Sequence, residues 1–432
     1  MDKFSGASFH SSEQSLNKRF DWAIRQAGCY VFPNTPIGPC YEAALPGRQA
    51  FCMRDAAHQV LGAQVLGAGD CNKTILGRFA SEITEERSFC SLWEICFDGT
   101  PCAVDYTNDK DFWYNLPANF DVSDACYRMF QWTGDTKYLF DPTMEYFHHI
   151  TVNDYLRQWD RDRDGLVDRR YEDGRRGIAS YDESKRNPNY LVAADLLGAE
   201  YAAFTARSHM LMMKGEAKPA KAMLEKAQQL QALYETEWWN EKDKHFASVK
   251  FQDGSYGGEY VGMDAFMPLY YGILRHQAQI NAQVNYIIKN DRLHNQEERS
   301  YVPEILWRYK ADEAAFDIFS AMTAPDYLRR EYPEISFAAL GAIASGYMGA
   351  YPNAQTHSLS TRSAILDNGY AELNYLPLWG GHIHLMHEGK TASTLENLTG
   401  SDLLWQPVFE RGTAKPTHVP AGATIRLSQD KV

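Results

Sequence analysis

The chain has 432 residues, 44% of them hydrophobic, and a formal net charge of −13: enough apolar material for one large domain or two, and an acidic balance without a Lys/Arg stripe, which excludes a surface for nucleic-acid phosphates. The apolar stretch "FAALGAIASGYMGAY" is too short and too rich in Gly and Ala to cross a bilayer, and the N-terminal "MDKFSGASFHSSEQSLNKRF" has no apolar signal segment, so a cytoplasmic protein without membrane or nucleic-acid partners is expected. The eight cysteines (Cys29, Cys40, Cys52, Cys71, Cys90, Cys96, Cys102 and Cys126) show no C-x-x-C spacing and are expected to be mostly reduced and buried.

In chain order, periodicity and turn residues predict helices over 12–28, 53–69, 71–84, 122–133, 136–157, 189–214, 217–240, 263–275, 277–290, 311–322, 325–331 with its loop, and 334–348. They come in pairs, punctuated by "GAGD" (67–70), "TGD" (133–135) and "KGEAKP" (214–219). One helix of several pairs is rich in Gly and Ala: Gly62 and Ala63, Gly198 and Ala199, Gly341 and Ala342. Small side chains let a helix be approached on both sides, as an inner ring requires, whereas "KAMLEKAQQLQALYETEWW" (221–239) is amphipathic and suits an outer ring. The expected fold is therefore mainly α, a toroid of helical hairpins over 1–352. After Pro352 the alternating character of "GGHIHLMHEG" and "THVPAGATIRL" predicts a small β-sandwich-like region over 353–432, packed on the helices.

Four stretches carry candidate chemistry. "PGRQAFCMRDAAHQVLGAQVLG" (46–67) sets Arg54 beside Asp55 at the start of a small-residue helix, a pair costly to bury without a polar ligand. "SYDES" places Asp182 and Glu183 between Ser180 and Ser184. "WDRDRDGLVD" (159–168) sets Asp160, Asp162, Asp164 and Asp168 in a spacing like a calcium loop, but the twelfth position is Tyr171, with Glu172 one place late, and Arg161, Arg163, Arg169 and Arg170 are interleaved. The favoured reading is a self-paired loop without a cofactor, with Ca2+ as the alternative. "LENLTGSDLLW" (395–405) offers Glu396, and reads equally as a β-hairpin.

With the helical pairing, these stretches resemble the six-hairpin, (α/α)6-barrel glycoside hydrolases, which include trehalases, processing α-glucosidases and α-L-rhamnosidases. "Ser-x-Asp-x-Ser" (180–184) is similar to their "S-G-x-D-x-S" turn, with Tyr181 in place of Gly, which implies Asp182 as the general acid and Glu183 as its fallback. Glu396 matches the glutamate of the "E-N-Y-x-x-L-T-G" stretch, which implies the general base; Glu334, Glu259 and Glu94 stay open as alternatives. The resemblance further implies sugar contacts from Arg54, Asp55, His58, Trp113, Glu183 and, on the pocket rim, Asp164. It implies hydrolysis of an α-glycosidic bond in an oligosaccharide or small glycoside with inversion, for which the two carboxyls stand roughly 6.5–9.5 Å apart. Trp93, Trp113, Trp132, Trp159, Trp379 and Trp405 are candidate sugar platforms, Trp113 first among them. Two other readings stay open: a sugar epimerase, to which His382 and His384 on one strand face would contribute, and a non-catalytic glycan-binding protein.

Overall fold

A computed structural model describes residues 6–169, 171–181, 190–258, 262–293 and 295–431. Six helices form its centre. Met53–Leu66 packs against Ala118–Thr133, which packs on Ala194–Met213, followed by Met263–Tyr270 and Val302–Arg308; the turn Ala342–Tyr347 then links Val302–Arg308 to Pro333–Gly341, which returns to Met53–Leu66. Their composition explains the position. Every residue of Met263–Tyr270 and of Pro333–Gly341 is buried, and in Met53–Leu66 only Arg54 and Asp55 escape full burial. Small residues make such enclosure possible: a Cβ built on Gly62 would stand 2.0 Å from the carbonyl oxygen of Phe337 on the neighbouring helix.

A second set of helices covers the first. Gly69–Ser81, Ala217–Glu237, Gln277–Asn290 and Asp312–Met322 each lie against the inner helix that precedes them, and Gln14–Cys29 lies against Pro333–Gly341. Ala217–Glu237 buries one face through Ala220, Ala227, Leu230 and Tyr234, the amphipathic pattern expected of an outer position. Met53–Leu66 stops at Gly67, whose left-handed backbone (φ 87°) lets its N–H reach the carbonyls of Ala63 and Gln64, so the helix ends earlier than the expected residue 69.

Two other helical expectations are corrected, and one inner helix is additional to them. The stretch 136–157 is broken by Pro142: Lys137–Phe140 stops, Asp141 caps the next turn by accepting from the Thr143 N–H at 3.1 Å, and Pro142–Ile150 resumes. Residues 325–331 form turns rather than a helix. Val302–Arg308, a member of the central ring, is a short helix with Pro303 in its first turn and was not anticipated.

The strands after residue 350 form two sheets. One runs in the order Ser8–Ser11, Tyr370–Leu378, Gly381–Glu388, Ala392–Leu398, Thr424–Ser428, all antiparallel. The other contains Tyr351–Asn353, Ser358–Arg362, Leu403–Phe409 and Gly412–Thr413, with Thr417–Val419 also paired to Leu403–Phe409. The N-terminal strand Ser8–Ser11 thus belongs to the sheet region, and Tyr351–Asn353 crosses the expected boundary at 352/353. This region sits at the C-terminal ends of the inner helices: Trp379 donates its N–H to the Trp132 carbonyl at 3.0 Å, and His387 Nε2 lies 3.0 Å from the Met348 carbonyl. Cys96 and Cys102 are joined in a disulfide, which corrects the expectation for that pair; of the other six cysteines only Cys29 is exposed. Among the described residues, no helix is long and apolar enough to cross a membrane.

Candidate active site

At the N-terminal ends of the inner helices lies a cavity of about 330 Å³, lined by acids Asp55, Glu94, Asp105, Glu297 and Glu334, by Arg48, Arg54 and Arg329, and by the rings of Trp93 and Trp113. Secondary structure sets each group in place. Arg54 and Asp55 occupy the first turn of Met53–Leu66, and Glu334 the first turn of Pro333–Gly341, where helix dipoles favour negative charge. Glu94 opens the strand Glu94–Cys96, which pairs antiparallel with Ala50–Cys52 and so faces the same wall as Asp55. Glu297 and Arg329 come from the loops ahead of the last two inner helices.

Ion pairs order these side chains. Arg48 Nη1 donates to both oxygens of Glu94, at 3.1 and 2.9 Å. Arg54 donates to Glu297, lies 3.7 Å from Asp55, and donates through Nη1 to the Tyr181 carbonyl at 3.2 Å. Arg329 bonds the other oxygen of Glu297 at 3.0 Å and stands 3.7 Å from Glu334 Oε1. That Glu334 oxygen is buried and has no hydrogen-bond partner. Burial, reinforced by the negative charges of Asp55 and Glu297 and opposed by Arg329, pushes the Glu334 carboxyl up to about 8. Burial and a hydrogen bond with Asp105 push Glu94 up to about 7, against the pull of Arg48.

The approach to residue 182 is anchored here. Buried Asp195, at the start of Ala194–Met213, accepts from Ser180 Oγ at 2.9 Å and from the Tyr181 N–H at 2.5 Å, and the Tyr181 hydroxyl donates to Asp121 at 2.9 Å. With the Arg54 bond, Tyr181 is held against the cavity from three sides. Asp182, Glu183, Ser184 and Glu259 lie outside the described residues.

Of the other anticipated residues, Arg54, Asp55, Trp93, Trp113, Glu94 and Glu334 come together on the cavity wall. Three do not. Glu396 lies on Ala392–Leu398, in the sheet at the far end of the helices, with its Oε2 2.9 Å from His384 Nδ1; strand pairing, not a helix mouth, decides its position. His382 and His384 share that sheet. His58 is one turn deeper than Arg54, buried and stacked on the Tyr301 ring at 3.5 Å, with Nε2 3.1 Å from Ser300 Oγ. Burial, with Arg128 and Arg54 nearby, lowers its pKa to about 3, so it is a neutral buried residue beneath the cavity lining. Asp164 bonds Lys250 Nζ at 3.0 Å, away from the cavity. Arg48, Asp105, Glu297 and Arg329 escaped the sequence reading; Arg48 stands in the "PGRQ" turn, and Glu297 precedes the helix that was missed.

No protein-family model matches the chain, and no curated protein matches its sequence. Solved structures match its fold. A human-microbiome protein described as a kojibiose phosphorylase aligns over 98% of this chain and 63% of its own length, at 11% identity and a TM-score of 0.63. An α-L-rhamnosidase from Dictyoglumus thermophilum aligns over 99% of this chain and 51% of its own, at 12% identity and a TM-score of 0.62. A protein described as a glycosidase aligns over 77% of this chain and 96% of its own, at 12% identity and a TM-score of 0.55. This chain therefore spans under two thirds of the first two. The fold is that of the (α/α)6-barrel glycoside-hydrolase-type enzymes, and at these identities the likeness is one of fold.

Proposed function

We propose that the chain is a carbohydrate-active enzyme that hydrolyses a glycosidic bond of an oligosaccharide or small glycoside in this cavity, an α-bond with inversion being the expected outcome. The observation that supports it most is the convergence of five acids, three arginines and two indole faces at the mouths of the inner helices. Flat indole faces suit the apolar faces of sugar rings, and the paired guanidinium and carboxylate of Arg54 and Asp55 can grip hydroxyls.

Asp182 is the proton donor in this reading, because it follows Tyr181, whose carbonyl Arg54 holds at the cavity. Water activation passes from Glu396 to Glu334. Glu334 has an oxygen without a hydrogen-bond partner, available to a water, whereas both oxygens of Glu94 are occupied by Arg48. A carboxyl held up to about 8 is also poised to gain and lose a proton near working pH. Water is favoured over inorganic phosphate as the attacking group, since the three guanidiniums are already matched to Glu94, Glu297, Asp55 and Glu334.

The test is a panel of aryl glycosides and oligosaccharides, with products followed by NMR, using wild type, Asp182→Asn and Glu334→Gln. Each variant is expected to lose roughly 10²–10⁴ in turnover of unactivated substrates. The acidic limb of the wild-type kcat/KM profile should fall as Glu334 is protonated, with its midpoint near 8. Wild-type rates in both variants would end the assignment. Heat of sugar binding without any product would favour the glycan-binding reading, a new epimer the epimerase reading, and a sugar phosphate formed only with added phosphate would replace hydrolysis by phosphorolysis.

A further inference from the structure

We propose that Asp160, Asp162 and Asp168, outside the cavity, form a binding site for a hard divalent cation of the calcium class. One carboxylate oxygen from each lies within 4.8 Å of the others. Asp168 supplies the second, independent observation: it is only 2% exposed, and its Oδ1 has no hydrogen-bond partner. Asp160 Oδ1 is likewise buried without one.

Among the described residues, the interleaved Arg161, Arg163 and Arg169, which argue against a cation on sequence grounds, make no ion pair with the three acids. Arg161 lies over the Trp159 ring at 5.4 Å and Arg169 over the Tyr190 ring at 4.9 Å. Among the described residues, Asp160, Asp162 and Asp168 make no ion pair, and only Asp164 has one, with Lys250. Behind the loop stands a further acid. Glu200, wholly buried on Ala194–Met213, accepts from the Val167 N–H at 3.4 Å through one oxygen and has no partner for the other. A bound cation would offset the mutual repulsion of carboxylates gathered this closely around the buried Asp168.

The donor set names the ion class. All-oxygen ligands select calcium or magnesium over zinc, and several carboxylates from one irregular loop suit the variable coordination of calcium better than the strict octahedron of magnesium. The acids at loop positions one, three and nine lie together, while the fifth, Asp164, is spent on Lys250. The ion would fasten a loop whose ends are already tied: the Asp168 N–H donates to the Trp159 carbonyl at 3.0 Å, and the Arg169 N–H to the Leu191 carbonyl at 2.9 Å.

The test is calorimetric titration of chelator-stripped full-length protein with CaCl2, alongside thermal melting and terbium luminescence excited through tryptophan. One saturable site is expected, with a rise in melting temperature of about 3 °C at a hundredfold excess over Kd. Asp168→Asn should weaken binding at least about tenfold, and so should Asp162→Asn, which alters an exposed side chain and keeps the test valid if the first variant misfolds. Absence of heat and of any melting shift with calcium overturns the proposal, as do preferential binding of magnesium and unchanged affinity in the folded Asp162→Asn variant. The readout is binding and does not depend on the chemistry of the cavity.

Discussion

Glu334 shows how a single carboxyl can tie stability to pH. Its ordinary value of 4.5 is raised to about 8, so between those values the folded chain keeps a proton that the unfolded chain has released. Its contribution to stability therefore declines as pH rises through that window. Glu334→Gln removes the cost of the buried charge. Relative to wild type the variant should gain about 1–3 kcal/mol more at pH 9 than at pH 5, measured by urea denaturation at both values. A difference that does not change with pH would show that Glu334 titrates normally. At this scale the sequence was legible where helix starts revealed themselves: Arg54 and Asp55 stand at the cavity because they open a small-residue helix. Glu396 and His58 were misplaced because a motif gives a residue type and a spacing, not the direction in which the side chain points.

Between elements, one tight approach is at Gly62, where Met53–Leu66 and Pro333–Gly341 meet backbone to backbone. A methyl group there meets the Phe337 carbonyl oxygen, which, as backbone, cannot swing aside. Gly62→Ala is expected to cost about 2–3 kcal/mol, read as a lowered midpoint in urea; an unchanged midpoint would mean the two helices are not packed this closely. The small-residue stripe that marks Met53–Leu66 as an inner helix is visible in sequence, and so is the amphipathic face of Ala217–Glu237. Val302–Arg308 was invisible because seven residues with a proline in the first turn give neither stripe nor period. It is helical because its neighbours enclose it, with Val302, Ile305, Leu306 and Trp307 all buried.

In the molecule as a whole, the N-terminal strand joins the sheet region formed by the C-terminal part of the chain. Phe9, on the strand Ser8–Ser11, is 1% exposed and packs against Phe20 of the outer helix at 5.5 Å and Tyr347 beyond the last inner helix at 6.0 Å. It thereby joins the N-terminal helix, the central ring and the sheet region. Phe9→Ala should cost roughly 3–5 kcal/mol and lower the melting temperature in one cooperative transition; loss of the sheet signal alone, ahead of the helices, would show that the regions unfold separately. By itself the sequence determined the helical pairing, the inner and outer character of the helices and the change to strands after residue 350, because these rest on local periodicity and on side-chain size. Tertiary structure alone decided that Ser8–Ser11 joins a sheet more than 350 residues away and that Glu94, Glu297, Arg329 and Glu334 share one cavity with Asp55. Convergence of that kind depends on how distant elements pack, and no local pattern records it.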